Sequence, residues 1–457
     1  MPDDRATFLP FLDPFLDDYF LRPWLDGIVL RGLAHGLFPL SRAWAEAVDP
    51  IATVESFAER AGRPLLPRPY LAGLLDSASR RRRLYDAAAT TWERCFFGPE
   101  DGSLPPPADL PAVESARVEA AHELMAVRSI MLPLRFAARV PQVRWEVAPP
   151  SAVAARHGPR LDRGPRHAFA SGTPAGLETS RAARLPTGDL SWIRFPSRVG
   201  GQADRAWARV LSPRGEPDPP TFIFLHGLAM ETEFWRISRL ASDHLVEQGI
   251  RVVYPEGPWH GRRRAEGWFG GEPAIGLGPL GMLDLLEAWV AEIGALVRWA
   301  RGTSRGRVAI GGLSLGALTS QLAAAAAADW PDEARPDALV LVATSSSMIE
   351  AAVDGSLGRA LGAPERMAEA GWTPDVIAPL KPLLEPLGAP AIDPGRIVLL
   401  LGAADDVTPY SSGRQLAQAW NVPSGNIFVR PQGHFTLAMG LARDDAPLQR
   451  LATLLKQ

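Results

Sequence analysis

The sequence predicts an α/β protein with a mostly parallel sheet of eight strands and a helical region in front of it. From residue 186 onward, short β-rich runs alternate with longer helical runs. This alternation is typical of βαβ units, which build a parallel sheet with helices on both faces. Before residue 149 the apolar residues recur at helical spacing instead. At roughly 100–200 residues per domain, a chain of 457 residues is expected to form two or three domains.

We predict three regions along the chain. Residues 1–148 form an N-terminal helical region, and residues 149–185 form a linker or strap, because that stretch is rich in Pro, Gly, Arg and Ala without periodicity. Residues 186–457 form the catalytic domain. Within it, residues 345–394 separate two strands that a short connection would normally join. This stretch is therefore predicted to be a lid-like insertion.

The predicted elements follow in chain order. The strands are Ser191–Pro196, Ala206–Leu211, Thr221–Leu225, Arg251–Tyr254, Val308–Gly311, Ala338–Val342, Arg396–Leu401 and Asn426–Val429. The helical stretches of the catalytic domain lie near residues 232–248, 281–301, 315–328, 357–370, 411–420 and 446–456, and those of the N-terminal region cover 27–96 and 113–139.

Composition excludes several classes of protein. A net charge of −3 gives no reason to expect nucleic-acid binding. The single cysteine, Cys95, cannot form an intrachain disulfide. The chain starts without a signal-peptide pattern and contains no apolar run long enough to span a membrane, so we expect a cytoplasmic protein. No motif indicates a metal, nucleotide or flavin, and we expect no cofactor.

An apolar stripe runs along residues 8–21, where Phe8, Phe11, Phe15 and Tyr19 follow helical spacing with aspartates between them. We predict a helix packed on the core. The alternative is membrane contact through residues 8–40, although interfacial helices usually carry Lys or Arg on the polar face.

A Gly-x-Ser-x-Gly motif carries the predicted nucleophile. An apolar strand runs into Gly312-Leu313-Ser314-Leu315-Gly316, and an Ala-rich helix follows. In this context the serine sits on a sharp turn, and glycines on either side let the strand and helix approach closely. The start of the helix offers free N–H groups to a developing negative charge. We predict that Ser314 is the nucleophile.

An acid is expected after the buried strand at 397–401, where Asp405 and Asp406 compete. A glycine three residues before Asp405 and a proline four residues after it favour Asp405. Asp406 is then predicted to be a helix cap or a surface charge. Glu350 and Asp354, beyond the preceding strand, are weaker candidates. The acid fixes the tautomer of the base that activates the serine.

The base is predicted to be His434, one of eight histidines. It follows the last predicted strand, and Gly433 lets the chain turn toward the strand ends. The resulting order, Ser314, Asp405 and then His434, is the one expected for this architecture.

Two neighbouring loops complete the predicted site. The strand that ends at Leu225 leads into His226-Gly227-Leu228, and we assign the oxyanion hole to the backbone N–H groups of Leu315 and Leu228, with His226 in a structural role and Gly227 beside the substrate. After the next strand, Trp259, His260 and Arg262 are predicted to shape an acyl or anionic-headgroup pocket. The alternative is a loop fixed by an arginine hydrogen-bond network.

These motifs resemble the α/β-hydrolase superfamily over about residues 186–457. Phe234-Trp235-Arg236 and Pro258-Trp259-His260-Gly261-Arg262-Arg263 are similar to the α/β-hydrolase-domain-containing protein 18 group, which also has an N-terminal helical region. The resemblance implies an α/β-hydrolase fold and hydrolysis of an ester or related acyl bond by a Ser-His-Asp triad without a cofactor.

We therefore expect a serine hydrolase whose partner is a small-molecule or lipid-like acyl substrate, with no nucleic acid bound. Members of the superfamily that have lost catalysis provide a second hypothesis, a hydrolase-like binding protein. A membrane-associated lipid acyl hydrolase is the third.

Overall fold

The structure is a computed structural model that describes residues 21–99, 103, 107–163, 167–173, 175–230, 243–386, 388–441 and 443–457. The predicted stripe at 8–21 lies outside these residues except for its last position. The motif at 234–236 and most of the predicted helix at 232–248 lie outside them as well.

One sheet organises the described part of the chain. Its ten strands are β1 Glu178–Thr179, β2 Ala183–Arg184, β3 Asp189–Val199, β4 Gln202–Ser212, β5 Thr221–Leu225, β6 Arg251–Glu256, β7 Val308–Leu313, β8 Ala338–Val342, β9 Ile397–Gly402 and β10 Ile427–Arg430. All eight predicted strands are present, and the additional β1 and β2 are only two residues long. The fold class predicted from the sequence is confirmed.

The strand order is β1-β3-β4-β6-β5-β7-β8-β9-β10, with β2 also paired to β3. Strands β5 to β10 run parallel, whereas β3 and β4 form an antiparallel hairpin that joins β6. The three central strands β7, β8 and β9 are buried almost throughout, as expected where helices cover both faces of a parallel sheet. The carboxyl ends of β5, β7, β9 and β10 therefore meet at one edge, where ligands bind in open α/β sheets.

Helices cover both faces of the sheet. Among residues 186–457 they are α8 Glu272–Gly276, α9 Pro279–Thr303, α10 Leu315–Ala326, α11 Met348–Val353, α12 Ser356–Leu361, α13 Ala363–Glu369, α14 Pro374–Ile377, α15 Lys381–Leu384, α16 Tyr410–Ala419, α17 His434–Leu441 and α18 Ala446–Lys456. Helices α11 to α15 occupy the stretch predicted to be a lid-like insertion. Among the described residues, no helix combines the length and apolarity needed to cross a membrane.

The N-terminal region is helical, as the sequence predicts. Its helices are α1 Pro23–Gly32, which continues through a π-helical turn at Leu33–Leu37, α2 Phe38–Ala47, α3 Val54–Arg60, α4 Arg68–Phe97, α5 Leu110–Ile130 and α6 Leu134–Ala137. Its core is continuous with that of residues 186–457, because Phe38 stacks on Phe269 at a centroid distance of 5.5 Å and Trp92 packs edge-on against Trp192 of β3 at 5.4 Å.

The stretch predicted to be a linker is more ordered than its composition indicated. Residues Pro150–Asp162 form helix α7, and β1 and β2 add to the edge of the sheet. The helix begins with a proline, which is tolerated at the first helical position, and it buries Val153, His157 and Arg160. Tertiary burial stabilises this helix where local sequence preference does not, since Pro159 lies inside it.

Candidate active site

Ser314 lies on a sharp turn between β7 and α10. Its φ of +55° and ψ of −117° form a backbone conformation that costs a non-glycine residue energy. A Cβ on Gly316 would lie 2.3 Å from the carbonyl oxygen of Leu225, and one on Gly312 would lie 2.7 Å from the same atom. The two glycines therefore let the turn pack against β5, as the motif predicts.

His434 joins Ser314 to Asp405 through hydrogen bonds. Its Nε2 lies 3.0 Å from Ser314 Oγ, and its Nδ1 lies 2.9 Å from Asp405 Oδ2. His434 is the first residue of α17, which follows β10 directly. Both His434 and Asp405 are buried, so the Asp405 carboxylate acts on the imidazole through a medium of low dielectric constant.

The loop after β9 turns Asp405, and not Asp406, toward His434. The Asp405 Oδ1 atom accepts hydrogen bonds from the backbone N–H groups of Val407 at 3.0 Å and Thr408 at 2.9 Å. The Thr408 hydroxyl also donates to Asp405 Oδ2 at 2.9 Å. Asp406 instead accepts a hydrogen bond from the Ser356 hydroxyl at 2.8 Å. Asp405 is thus the acid that the structure brings to His434.

The predicted oxyanion-hole residues lie beside the serine. Leu315 begins α10 and Leu228 follows β5, and both line the same cavity as Ser314. A Cβ on Gly227 would lie 3.6 Å from Ser314 Cβ, an ordinary contact distance, so this loop lies directly against Ser314. In this loop the N–H of Gly227 donates to the sulfur of Met230 at 2.9 Å.

Two buried histidines support the loop at 227–230 from behind. His226 Nε2 accepts from the Gly257 N–H at 2.9 Å, and His260 Nε2 accepts from the Ala229 N–H at 3.2 Å. Burial lowers the pKa of His226 to about 4 and holds the pKa of His260 well below its ordinary value, because a charged imidazole is disfavoured in this apolar surrounding. His226 is structural, as expected.

The expectation that His260 and Arg262 shape the substrate pocket differs from the structure. His260 is fully buried behind the loop, and the Arg262 guanidinium forms an ion pair with Glu256 at 2.9 Å. The Arg262 Cζ atom also lies 4.1 Å from the ring centroid of Trp192 and 4.4 Å from that of Trp92. These contacts draw the side chain under the N-terminal helices, which explains why it does not reach the cavity beside Ser314.

Trp259 also packs away from that cavity, against the core between the sheet and α9. The next arginine, Arg263, donates to Glu292, Asp204 and the Glu256 carbonyl oxygen. The alternative interpretation of this loop, a segment fixed by arginine hydrogen bonds, is the one that the structure bears out.

A cavity of about 150 Å³ opens beside Ser314. Among its described lining residues, only Ser314 and Thr408 carry a hydroxyl group, and the rest are apolar side chains or glycine. The walls come from α8 and α9, from the lid-like helices and from the N-terminal region; they include Trp145, Leu228, Ala274, Met282, Leu318, Met348, Ala352, Leu357, Met367, Ile377 and Leu384.

Comparison with known proteins agrees with this architecture. Residues 192–362 match the family model described as alpha/beta hydrolase domain containing 18. The matched stretch contains the Ser314 turn and the loop at 227–230 and ends before Asp405. The described sheet has the α/β-hydrolase fold, and residues 192–362 are similar to this family.

Solved structures similar to this chain include acetyl xylan esterase 1 from Thermoanaerobacterium sp. JW/SL YS485, with 17% identity, 68% of this chain and 96% of that chain covered, and a TM-score of 0.44. A serine hydrolase without lid from Xanthomonas campestris has 18% identity, covers 60% of this chain and 98% of its own, and gives a TM-score of 0.34. The acylaminoacyl peptidase of Pyrococcus horikoshii has 11% identity, coverages of 61% and 47%, and a TM-score of 0.39. No curated protein sequence matches the chain.

The N-terminal region contributes directly to the site. The Asp26 carboxylate accepts from the backbone N–H groups of Phe435 at 2.6 Å and Thr436 at 3.2 Å, so it caps the helix that begins with His434. Trp145 lines the cavity. Sequence reasoning missed both residues, because they lie far from the motifs along the chain. Thr408 had a weak local signal, as a hydroxyl three residues after Asp405.

One group among the described residues has the spacing of metal ligands, namely His157, Asp284 and Glu287. Arginines already neutralise both carboxylates: Arg156 Nε lies 2.8 Å from Asp284 Oδ1, and Arg160 Nε lies 3.3 Å from Glu287 Oε1. This donor set is therefore poorly suited to a cation.

Proposed function

We propose that the protein is a serine hydrolase that cleaves carboxylic esters with an apolar acyl group. The observation that carries this proposal is the chain of hydrogen bonds from Ser314 through His434 to Asp405 at the mouth of an apolar cavity. A hydroxyl, a base and an orienting acid in this arrangement have the geometry of an activated nucleophile.

In the acylation step, Ser314 Oγ attacks the carbonyl carbon of the ester while His434 Nε2 takes the serine proton. Asp405 stabilises the imidazolium that forms. The backbone N–H groups of Leu228 and Leu315 donate to the oxyanion of the tetrahedral intermediate. His434 then gives its proton to the leaving alkoxide, so an alcohol departs and an acyl-Ser314 ester remains.

In the deacylation step, water takes the place of the alcohol. His434 Nε2 accepts a proton from the water as its oxygen attacks the acyl carbon. The second tetrahedral intermediate collapses and returns the proton to Ser314 Oγ. One ester and one water thus give one carboxylic acid and one alcohol, and the triad is restored.

The cavity favours an acyl chain of limited length. A dry apolar cavity of about 150 Å³ accepts a molecule the size of benzene, so we expect an acyl group of about six carbons to fill the cavity beside Ser314. Burial of each methylene is worth about 0.8 kcal/mol, which gives preference to such a chain over an acetyl group.

A comparison of Ser314→Ala with Ser320→Ala tests the proposal. Both serines belong to the same turn and helix, but the Ser320 hydroxyl donates only to the Gly316 carbonyl oxygen. We expect a fluorophosphonate probe to label the wild type and Ser320→Ala and to leave Ser314→Ala unlabelled. Hydrolysis of p-nitrophenyl hexanoate should fall about 10⁴-fold or more in Ser314→Ala alone. Equal labelling of both variants, or a folded wild type inert to the probe, would refute a serine hydrolase. Matched thioester and anilide substrates would test the choice of an ester bond.

A further inference from the structure

Two segments of the N-terminal region meet at the surface, residues 61–75 and residues 124–145. The Leu65 N–H donates to the Ala137 carbonyl oxygen at 2.9 Å, which fixes the loop before α4 against α6. Both segments turn apolar side chains outward at this contact, so they form one continuous surface.

The apolar part of this surface is unusually exposed. Leu65 is 90% exposed and Phe136 is 86% exposed, although a large apolar side chain gains free energy on burial. The Tyr70 hydroxyl donates to the Ile130 carbonyl oxygen at 3.1 Å, which places these neighbours on the same surface. We call the set of exposed side chains the amphiphilic patch; its apolar members are Leu65, Tyr70, Ile130, Leu132 and Phe136.

The two segments contribute only arginines as charged side chains, and one of them, Arg68, is paired with Glu55. Residues 61–75 and 124–145 contain no aspartate or glutamate. Arg63, Arg135 and Arg139 are exposed, and no acidic side chain of the described residues forms an ion pair with them. The patch therefore places three arginines, which have no acidic partner among the described residues, around large exposed apolar side chains. This local positive charge stands in a chain whose net charge is −3.

We propose that the amphiphilic patch binds the surface of a bilayer that contains anionic lipids. Leu65 and Phe136 enter the region between the headgroups and the acyl chains, and the three arginines contact the lipid phosphates. Surfaces that combine apolar side chains with Lys or Arg bind bilayers in this way. Because the whole chain is acidic, attraction to such a bilayer has to come from a local excess of positive charge, and the patch provides one.

One wall of the cavity lies near the amphiphilic patch along the chain. Residues 140–144 lead from Arg139 to Trp145, which lines the cavity beside Ser314. The proposal does not rest on catalysis, and its test uses the full chain with Ser314→Ala, so that hydrolysis plays no part.

Vesicle flotation tests the proposal with phosphatidylcholine vesicles prepared with and without phosphatidylglycerol. We expect binding that needs phosphatidylglycerol and weakens with added salt, since salt screens surface charge. The pair of changes Arg135→Glu and Arg139→Glu should weaken binding at least about tenfold, and Leu65→Ser with Phe136→Ser should do the same through lost burial, by at least about tenfold.

Matched controls come from helix α4, which carries exposed arginines and an exposed leucine outside the amphiphilic patch. Arg80→Glu with Arg83→Glu, and separately Leu84→Ser, should bind as the parent does. Circular dichroism and melting temperature verify that each variant is folded. The proposal would be overturned if the α4 substitutions weakened vesicle binding as much as the patch substitutions do, or if the patch substitutions left vesicle binding unchanged. The proposal would also be overturned if the protein did not bind vesicles but sedimented as a dimer that Phe136→Ser dissociates. The patch would then bind a second copy of the chain.

Discussion

The Asp26 carboxylate accepts a hydrogen bond from the Thr436 hydroxyl at 2.5 Å, across 410 residues of chain. It also caps the backbone N–H groups of Phe435 and Thr436, so the helix that starts with His434 is fixed by the N-terminal region. A Cβ on Gly433 would lie 2.5 Å from Asp26 Cγ. The glycine before the histidine thus leaves room for the aspartate as well as for the turn.

We predict that Asp26→Ala lowers kcat for ester hydrolysis by about 10- to 100-fold, because a small displacement of a catalytic group has effects of this size. KM should change little, since Asp26 does not line the cavity. Asp26→Asn should retain most of the activity through its acceptor oxygen. The exposed Asp76 provides the control in Asp76→Ala. If Asp26→Ala lowers kcat/KM only by raising KM, with kcat unchanged, the result would contradict a role of Asp26 in positioning His434.

The adjacent pair Asp405 and Asp406 allows a matched test of the triad. We predict that Asp405→Asn lowers kcat by about 10⁴-fold, as loss of the orienting charge does in serine proteases. Asp406→Asn keeps an acceptor for the Ser356 hydroxyl and should leave kcat at the wild-type value. Steady-state hydrolysis of one p-nitrophenyl ester measures both. The reverse ranking would make Asp406 the acid and refute the assignment.

The sequence predicted the elements whose signals are local. Each strand of the parallel sheet is a short apolar run, and Ser314 is marked by glycines that the turn requires. Asp405 and His434 follow predicted strands directly, so the topology alone brings their backbones to one edge of the sheet. For these residues, the strand order alone predicts that they lie close together in the fold.

Prediction from the sequence was wrong where the orientation of a side chain depends on partners distant along the chain. Arg262 follows a predicted strand just as Asp405 does, but Trp92 of α4 and Glu256 draw its guanidinium to the other side of its loop. Helix α7 likewise depends on burial against the sheet and α9 rather than on its own composition. Asp26 reaches the site from the opposite end of the chain, where no pattern of spacing could indicate it.

The cavity walls give a prediction on acyl-chain length. Ala352→Phe adds a ring to the wall and should abolish the preference for hexanoate over acetate, with acetate hydrolysis retained. Met367→Ala removes side-chain atoms and should shift the optimum toward chains longer by about two carbons. The kcat/KM values for p-nitrophenyl esters of graded length measure both changes. A common loss for every ester would indicate damage to the lid-like helices rather than a change of cavity size.

The two neutral histidines behind the loop at 227–230 make stability depend on pH. Burial lowers the pKa of His226 to about 4, whereas an unfolded histidine has a pKa of about 6.5. Between pH 6.5 and pH 4 the histidine is protonated in the unfolded chain but neutral in the native chain. Its contribution to the free energy of unfolding is therefore fully present above pH 6.5 and is lost as the pH falls toward 4. The slope is at most about 1.4 kcal/mol per pH unit for each such histidine.

His260 adds a second contribution of the same sign, since its pKa is also lowered by burial. We predict that the urea midpoint falls between pH 6.5 and pH 4.5 and that His260→Gln makes the decline shallower, because glutamine can accept from the Ala229 N–H without binding a proton. His167→Gln, at an exposed position, is the control and should keep the wild-type slope. An unchanged slope in His260→Gln would mean that this imidazole is protonated alike in the folded and unfolded chain, which would contradict its role as a neutral acceptor for the Ala229 N–H.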